Sequence, residues 1–154
     1  MKLKHQQQPT DGSCMHACLA MLADIPVADV AAKFPWEPLG SRVFTSAVAT
    51  LCLEQIPMLI NNDIMFPFEG LYYVTVTSPN MHLTHVVLFE VTSHYDYWNI
   101  KVFDPELKEP VNCVGIDQVD IKFQWKMIDA MFLKPMCKRA RNQFAELLIL
   151  NERL

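Results

Sequence analysis

Residues 85–104 read HVVLFEVTSHYDYWNIKVFD, and this segment is the clearest evidence in the sequence for a β-sheet. β-Branched and aromatic residues fill both of its halves, and the segment 93–96 separates them, a pattern typical of a β-hairpin. If 93–96 is a four-residue loop, Thr92 faces Tyr97 and alternate residues of the two strands share one face. The pairs on that face are all apolar: Val91 with Trp98, Phe89 with Ile100, and Val87 with Val102.

The same register places His85 opposite Asp104 at the open end of the hairpin. An imidazole beside a carboxylate on adjacent strands is the orienting half of a catalytic triad. A two-residue loop would shift the partner by two positions, which keeps the two side chains within diagonal reach. The alternative is a half-buried histidine that only satisfies a hydrogen bond, beside an aspartate that ends its strand before Pro105.

Helices and further strands are predicted on both sides of the hairpin. The other strand-like segments lie at 58–60, 71–77, 121–125 and 127–133, of which the last two have the weaker pattern. Helices are predicted from Met15 to Ala23, in a short segment that starts near Pro26 and includes Phe34, and over 45–55. The predicted helices come first along the chain and the antiparallel strands follow, an order that is typical of an α+β domain.

Composition and charge narrow the class of protein. The chain has 154 residues, of which 51% are hydrophobic and 19% charged, with a formal net charge of -4. This composition excludes a disordered chain, and the acidic balance argues against nucleic-acid binding. No apolar stretch follows the basic residues of 1–9, and no run is long enough to span a membrane. Five cysteines at irregular spacing fit reduced thiols, so a cytoplasmic location is expected.

Cys14 is the candidate nucleophile. It follows Asp11-Gly-Ser13, where a turn enters an apolar helix, so its sulfur is expected near the helix N-terminus. The helix dipole and a nearby imidazolium lower a thiol pKa, and the first backbone amides can face an oxyanion. Gln8, six residues earlier, can donate a second hydrogen bond there. The alternative is a small buried apolar residue, which suits Cys18 and Cys52 better than Cys14.

The segment 8–21, QPTDGSCMHACLAM, resembles the active-site segment of bacteriocin-processing peptidases. These papain-like cysteine peptidases have a Gln six residues before the nucleophile and then Cys-x-x-Ala-Cys-Leu-Ala-Met or a near variant. Their His opens a strand of the His-x-Val-Val type, similar to 85–88, and their Asp precedes a Pro, as Asp104 does. The segments occur here in the family's order.

The resemblance implies a papain-like fold in which N-terminal helices pack on an antiparallel sheet. The peptidase domain would cover 1–136, and 137–154 would be a C-terminal helical extension packed on the same domain. The resemblance also implies the roles of four residues: Cys14 as nucleophile, His85 as general base and acid, Asp104 as its orienter, and Gln8 in the oxyanion hole. The substrate would be a peptide or protein, and no cofactor or metal is expected.

The chain departs from the family at two places beside the nucleophile. Met15 stands where the family usually has Gly, and Gly12-Ser13 stands where an Asp usually comes directly before the Cys. Three other functions stay open: a deamidase or acyltransferase acting on a protein side chain, a catalytically silent papain-like binding module, and a zinc site. Zinc is disfavoured, since Cys14, His16 and Cys18 on one helix cannot converge on one ion.

Thiol reactivity is expected to differ among the cysteines. Cys14 alone combines a helix N-terminus with a candidate His-Asp pair, so it should react first. Cys113 and Cys137 are expected in loops or at the ends of elements, without an imidazole partner.

Overall fold

The computed structural model describes residues 2–33, 55–58, 66, 68–77, 84–94, 97–133, 142, 145 and 146. The chain forms two compact units. The first is drawn from Met1–Glu54, Pro105–Lys108 and Pro135–Leu154, and the second from Gln55–Asp104 and Glu109–Lys134. Within the described residues, no helix has the length and apolar character needed to cross a bilayer.

The first unit contains two helices, α1 (Cys14–Ala23) and α2 (Val27–Lys33). All ten residues of α1 are buried, as expected for a helix that is apolar on every side. Asp24 ends α1 in the left-handed conformation, with a φ of 58°. Pro26 then precedes α2, where a residue without an N–H suits a helix start. The two predicted helices are therefore confirmed over these residues.

The second unit contains a six-stranded sheet in the order β1-β6-β2-β3-β4-β5, in which all neighbouring strands are antiparallel. The strands are β1 (Gln55–Met58), β2 (Gly70–Thr77), β3 (Thr84–His94), β4 (Tyr97–Phe103), β5 (Val111–Val114) and β6 (Lys126–Leu133). The helix α3 (Ile116–Phe123) lies between β5 and β6 in the chain. The predicted α+β class is confirmed.

One face of the sheet carries the hydrophobic core of this unit. Its buried residues include Phe66, Tyr72, Val87, Phe89, Val91, Ile100, Val102, Val119 and Phe132. On β3 these are alternate residues, which is the period expected of a strand with one face on a core. Residues of the opposite face, such as Leu88 and Phe103, are also buried. The central strands are therefore buried on both faces.

The register of the β3–β4 hairpin differs from the predicted one by two positions. β3 continues to His94, which pairs with Tyr97, and Val91 pairs with Ile100 instead of Trp98. The strands are thus separated by two residues, where four were predicted. Because side chains alternate with a period of two, a shift of two positions leaves each residue on its predicted face. The apolar face is confirmed, although its individual pairs are not.

The structure also corrects three predicted or unassigned segments. Most of 121–125 belongs to α3, in which Val119 is buried and Ile121 is 75% exposed. The local alternation of apolar and polar residues there is typical of a strand, but the burial follows helical spacing. Gln55, expected to end a helix, begins β1, and β5 was not predicted.

The other predicted strands agree with β2, β3, β4 and β6 to within a few residues. The predicted helix over 45–54, the strand residues 59–60 and nearly all of the C-terminal extension 137–154 lie outside the described residues. The domain boundary at 136 therefore stays a prediction.

Candidate active site

His85 and Asp104 form a buried hydrogen-bonded pair in the second unit. His85 Nε2 and Asp104 Oδ1 are 2.7 Å apart, and the two residues are 4% and 3% exposed. His85 is the second residue of β3, and Asp104 directly follows the end of β4. Leu88 pairs with Phe103, so Asp104 reaches His85 along a diagonal of the hairpin. The structure thus brings together two of the four predicted site residues.

The hydrogen bond distinguishes the two imidazole nitrogens. An ionised carboxylate can only accept, so Nε2 carries the proton that His85 donates to Asp104. Nδ1 is then the ring nitrogen that can accept or release a proton at a substrate or nucleophile. This division of roles between the two nitrogens is what a general base held by a carboxylate requires.

An aromatic pair lies next to His85. The Trp125 ring is 6.3 Å from the imidazole between centroids, and Phe123 stacks on Trp125 at 4.1 Å with 12° between the planes. Neither residue was predicted to belong to a site. Phe123 ends α3 and Trp125 precedes β6, and no local sequence pattern indicates that they lie beside His85.

Cys14 is the first residue of α1, in the first unit, and is 7% exposed. The preceding turn is closed by the Ser13 N–H, which donates to Thr10 O at 3.2 Å, with Gly12 at a φ of 83°. Ser13 makes no side-chain cap to the helix, because its hydroxyl donates to Thr10 O at 2.6 Å instead. The Ser13 side chain therefore accepts no hydrogen bond from the first-turn amides of α1, which include the Cys14 N–H.

Gln8 is fixed through its backbone in the first unit. Its N–H donates to Pro105 O at 2.8 Å. Its side-chain Oε1 is buried and has no hydrogen-bond partner among the residues that the structure describes. Buried amide groups are nearly always hydrogen-bonded. A ligand group that donates a hydrogen bond to Gln8 Oε1 would therefore complete this site.

The four candidates are divided between the units. Gln8 and Cys14 belong to the first, and His85 and Asp104 to the second. The contact predicted within the second unit, between His85 and Asp104, is present.

The other described cysteines differ from Cys14. Cys18 is completely buried inside α1. Cys113, expected in a loop or at an element end, is instead a buried residue of β5, because the strand over 111–114 was not predicted. Burial raises the pKa of the Cys113 thiol above its ordinary value, and Lys122 opposes this rise. Cys52 and Cys137 lie outside the described residues.

No family model matches the chain, and no curated protein matches it. The chemistry of the described residues therefore carries the functional assignment.

Proposed function

We propose that this chain is a papain-like cysteine peptidase or a closely related thiol hydrolase. It cleaves a peptide or amide bond with Cys14 as nucleophile, His85 as general base and acid, Asp104 as orienter, and Gln8 as an oxyanion donor. The observation that carries this proposal is the 2.7 Å hydrogen bond between His85 Nε2 and Asp104 Oδ1 in a buried environment.

The burial of this pair supports a role beyond folding. Removing two ionisable groups from water is costly, and apolar residues of similar size would often give equal or greater stability. His85 and Asp104 lie at strand ends, just beyond the core that the hairpin face forms. Buried ionisable pairs in such positions are frequent at catalytic sites.

The position of Cys14 supports the role of nucleophile. Its sulfur lies on the first residue of a fully buried helix, at the positive end of the helix dipole. The first-turn amides can also donate to a carbonyl oxygen that gains negative charge.

The first half of the reaction forms an acyl-enzyme. His85 Nδ1 takes the proton of the Cys14 thiol, and the sulfur forms a bond to the carbonyl carbon as the C=O π pair moves to oxygen. Gln8 and the Cys14 N–H donate to this oxyanion. When the C=O bond re-forms, the C–N bond breaks and Nδ1 returns its proton to the leaving amine. A thioester on Cys14 remains.

The second half regenerates the enzyme. Water attacks the thioester carbon and gives a proton to His85 Nδ1, and a second oxyanion forms at the same donors. Collapse of this intermediate breaks the C–S bond, and the Cys14 sulfur takes the proton back. A carboxylic acid is released. Throughout, Asp104 accepts from Nε2–H and stabilises the imidazolium.

Two reagents separate the roles of these residues. p-Nitrophenyl acetate acylates a nucleophile through a tetrahedral oxyanion, whereas iodoacetamide alkylates it by displacement at a saturated carbon, without an oxyanion. Cys14→Ser and His85→Ala should lower both rates. Gln8→Ala should lower acylation by about 10²–10³-fold and leave alkylation unchanged. The measurements are p-nitrophenolate release and mass spectrometry of the alkylated peptides at about pH 6, below the free-thiol pKa.

His82 and His94 are the two histidines nearest to His85 in the sequence. His82→Ala and His94→Ala therefore serve as controls and should keep both wild-type rates. The proposal is overturned if His85→Ala reacts like wild type, or if alkylation begins at another cysteine. A binding module would then be the better interpretation. A Gln8→Ala protein that loses much stability but keeps its acylation rate would show that Gln8 is structural.

A further inference from the structure

The N-terminal segment that carries Gln8 forms an ion pair and two hydrogen bonds with the connection between α1 and α2. Lys4 Nζ lies 3.2 Å from Asp24 Oδ1 in an exposed ion pair. Gln6 makes two hydrogen bonds to the same connection: its Nε2 donates to Ile25 O at 2.7 Å, and its Oε1 accepts from Val27 N–H at 2.7 Å. Exposed ion pairs contribute little to stability, so the two hydrogen bonds of Gln6 are the stronger contacts.

The chemistry of the connection fits a primary amide. Ile25 O and Val27 N–H lie on either side of Pro26, which has no N–H of its own. One planar amide group offers a donor and an acceptor side by side, so Gln6 satisfies both backbone groups at once. Val27 is the first residue of α2, where the N–H has no partner inside its own helix.

This connection is also hydrogen-bonded to α1. The Asp24 N–H and the Ile25 N–H both bond to Ala20 O, in the last turn of α1. Gln6 is therefore fixed to the end of the helix whose first residue is Cys14. Gln8, two residues after Gln6, has its own backbone bond to Pro105 O.

We infer that Gln6 is a positioning residue for the oxyanion site: its amide holds the segment that carries Gln8 in a fixed place relative to α1 and Cys14. This inference rests on the proposed function. Oxyanion donors act only within about 2.7–3.1 Å of the oxygen, and a displacement of about 1 Å can cost 10²-fold in rate. A side chain that ties Gln8 to the nucleophile's own helix supplies that constraint.

Gln6→Met tests the inference, because it keeps the length of the side chain and removes both hydrogen bonds. Acylation by p-nitrophenyl acetate should fall about tenfold, less than in Gln8→Ala, while alkylation by iodoacetamide stays at the wild-type rate. Gln7→Met is the matched control, since Gln7 is the exposed neighbour with the same side chain. It should keep both rates.

Gln6→Glu gives a second readout if Gln6→Met does not fold. An ionised carboxylate still accepts from Val27 N–H but repels Ile25 O, and a protonated one donates to that oxygen again. The acylation rate of Gln6→Glu, divided by that of wild type at the same pH, should therefore rise as the pH falls from 7 to about 4.5. A constant ratio would overturn the inference.

The other outcomes separate this inference from the proposed function. A folded Gln6→Met protein with wild-type acylation overturns the inference and leaves the proposed function standing. Equal losses of acylation and alkylation also overturn it, because Gln6 would then act only through the stability of the fold. A wild-type protein without Cys14-dependent acylation overturns both.

Discussion

The Trp125 indole lies against the His85 imidazole, with 6.3 Å between the ring centroids and 56° between the planes. This tilted arrangement is within the range in which aromatic rings attract one another. Phe123 stacks on Trp125, and Gln124 between them has a φ of 51°. This left-handed residue turns the chain from α3 into β6. The imidazole that bonds to Asp104 is therefore packed against Trp125, whose ring in turn stacks on Phe123.

Trp125→Ala should affect both stability and the His85 hydrogen bond. Loss of a large, partly buried ring should lower the free energy of unfolding by about 2–4 kcal/mol, measured by urea denaturation. Water should reach the imidazole, so the Nε2 proton of His85 should exchange faster in NMR spectra. Trp125→Phe should restore part of both properties.

Phe123→Ala is the matched variant for this effect. It removes the stacking partner but leaves the ring that packs on His85, so it should lower stability without changing exchange of the Nε2 proton. Equal exchange in Phe123→Ala and Trp125→Ala would show that the indole does not shield the pair.

Asp104→Asn and Asp104→Ala should separate charge from packing. The amide keeps the shape of the carboxylate and can still accept from Nε2–H, so Asp104→Asn should unfold at nearly the wild-type urea concentration. Its acylation rate should fall only in part, because an asparagine can still orient the imidazole, as in the Cys-His-Asn arrangement of papain-like peptidases. Asp104→Ala should lose more of the rate and also about 2 kcal/mol of stability. Full acylation by Asp104→Ala would contradict the role of orienter.

Gly12 controls the turn that leads into Cys14. Its φ of 83° lies in the left-handed region, and no atom lies within 4 Å of where a Cβ would be. Gly12→Ala should therefore cost about 1 kcal/mol through backbone strain alone, and Gly12→Asn less, since Asn tolerates this conformation. Thermal unfolding measures both variants.

Gly70→Ala offers a contrast with Gly12→Ala. A Cβ at Gly70, where φ is 143°, would lie 2.8 Å from the Phe132 ring. Strain and a clash with a buried ring add at this position, so Gly70→Ala should be the more destabilising of the two variants. Equal melting temperatures would contradict the steric explanation.

The His85–Asp104 pair was predictable from sequence because its face depends only on the alternation of side chains. The loop length was predicted wrongly, but an error of two residues leaves His85 and Asp104 on one face and within diagonal reach. An error of one residue would have placed them on opposite faces. The prediction of this pair therefore depended on the alternation of side chains along the two strands and did not require the exact register.

Trp125 and Gln6 could not be predicted in the same way. The alternating pattern of 121–125 predicted a strand. The segment Ile116–Phe123 is instead a helix, which buries Val119 in the core of the sheet unit. Gln6 bonds to backbone groups of Ile25 and Val27, which lie 19 and 21 residues away in the chain. Such contacts follow from packing, and no local pattern encodes them.

Cys113 provides a prediction on pH dependence. Burial raises the pKa of its thiol above the ordinary value of 9.0, with Lys122 acting in the opposite direction. In the unfolded chain the thiol ionises near that ordinary value, while the folded chain keeps the proton to higher pH. The stability that depends on the neutral thiol is therefore fully present below about pH 9 and is lost as the pH rises further, with a slope of at most about 1.4 kcal/mol per pH unit.

Cys113→Val isolates this contribution, because valine suits a buried strand position and cannot ionise. Urea unfolding of the two proteins between pH 7 and about 10 should give parallel free energies up to about pH 9. Above that pH, wild type should lose stability faster than the variant. Tyr72, whose pKa is also raised by burial, ionises in both proteins and cancels in the comparison. Curves that stay parallel to pH 10 would show that the buried thiol does not resist ionisation.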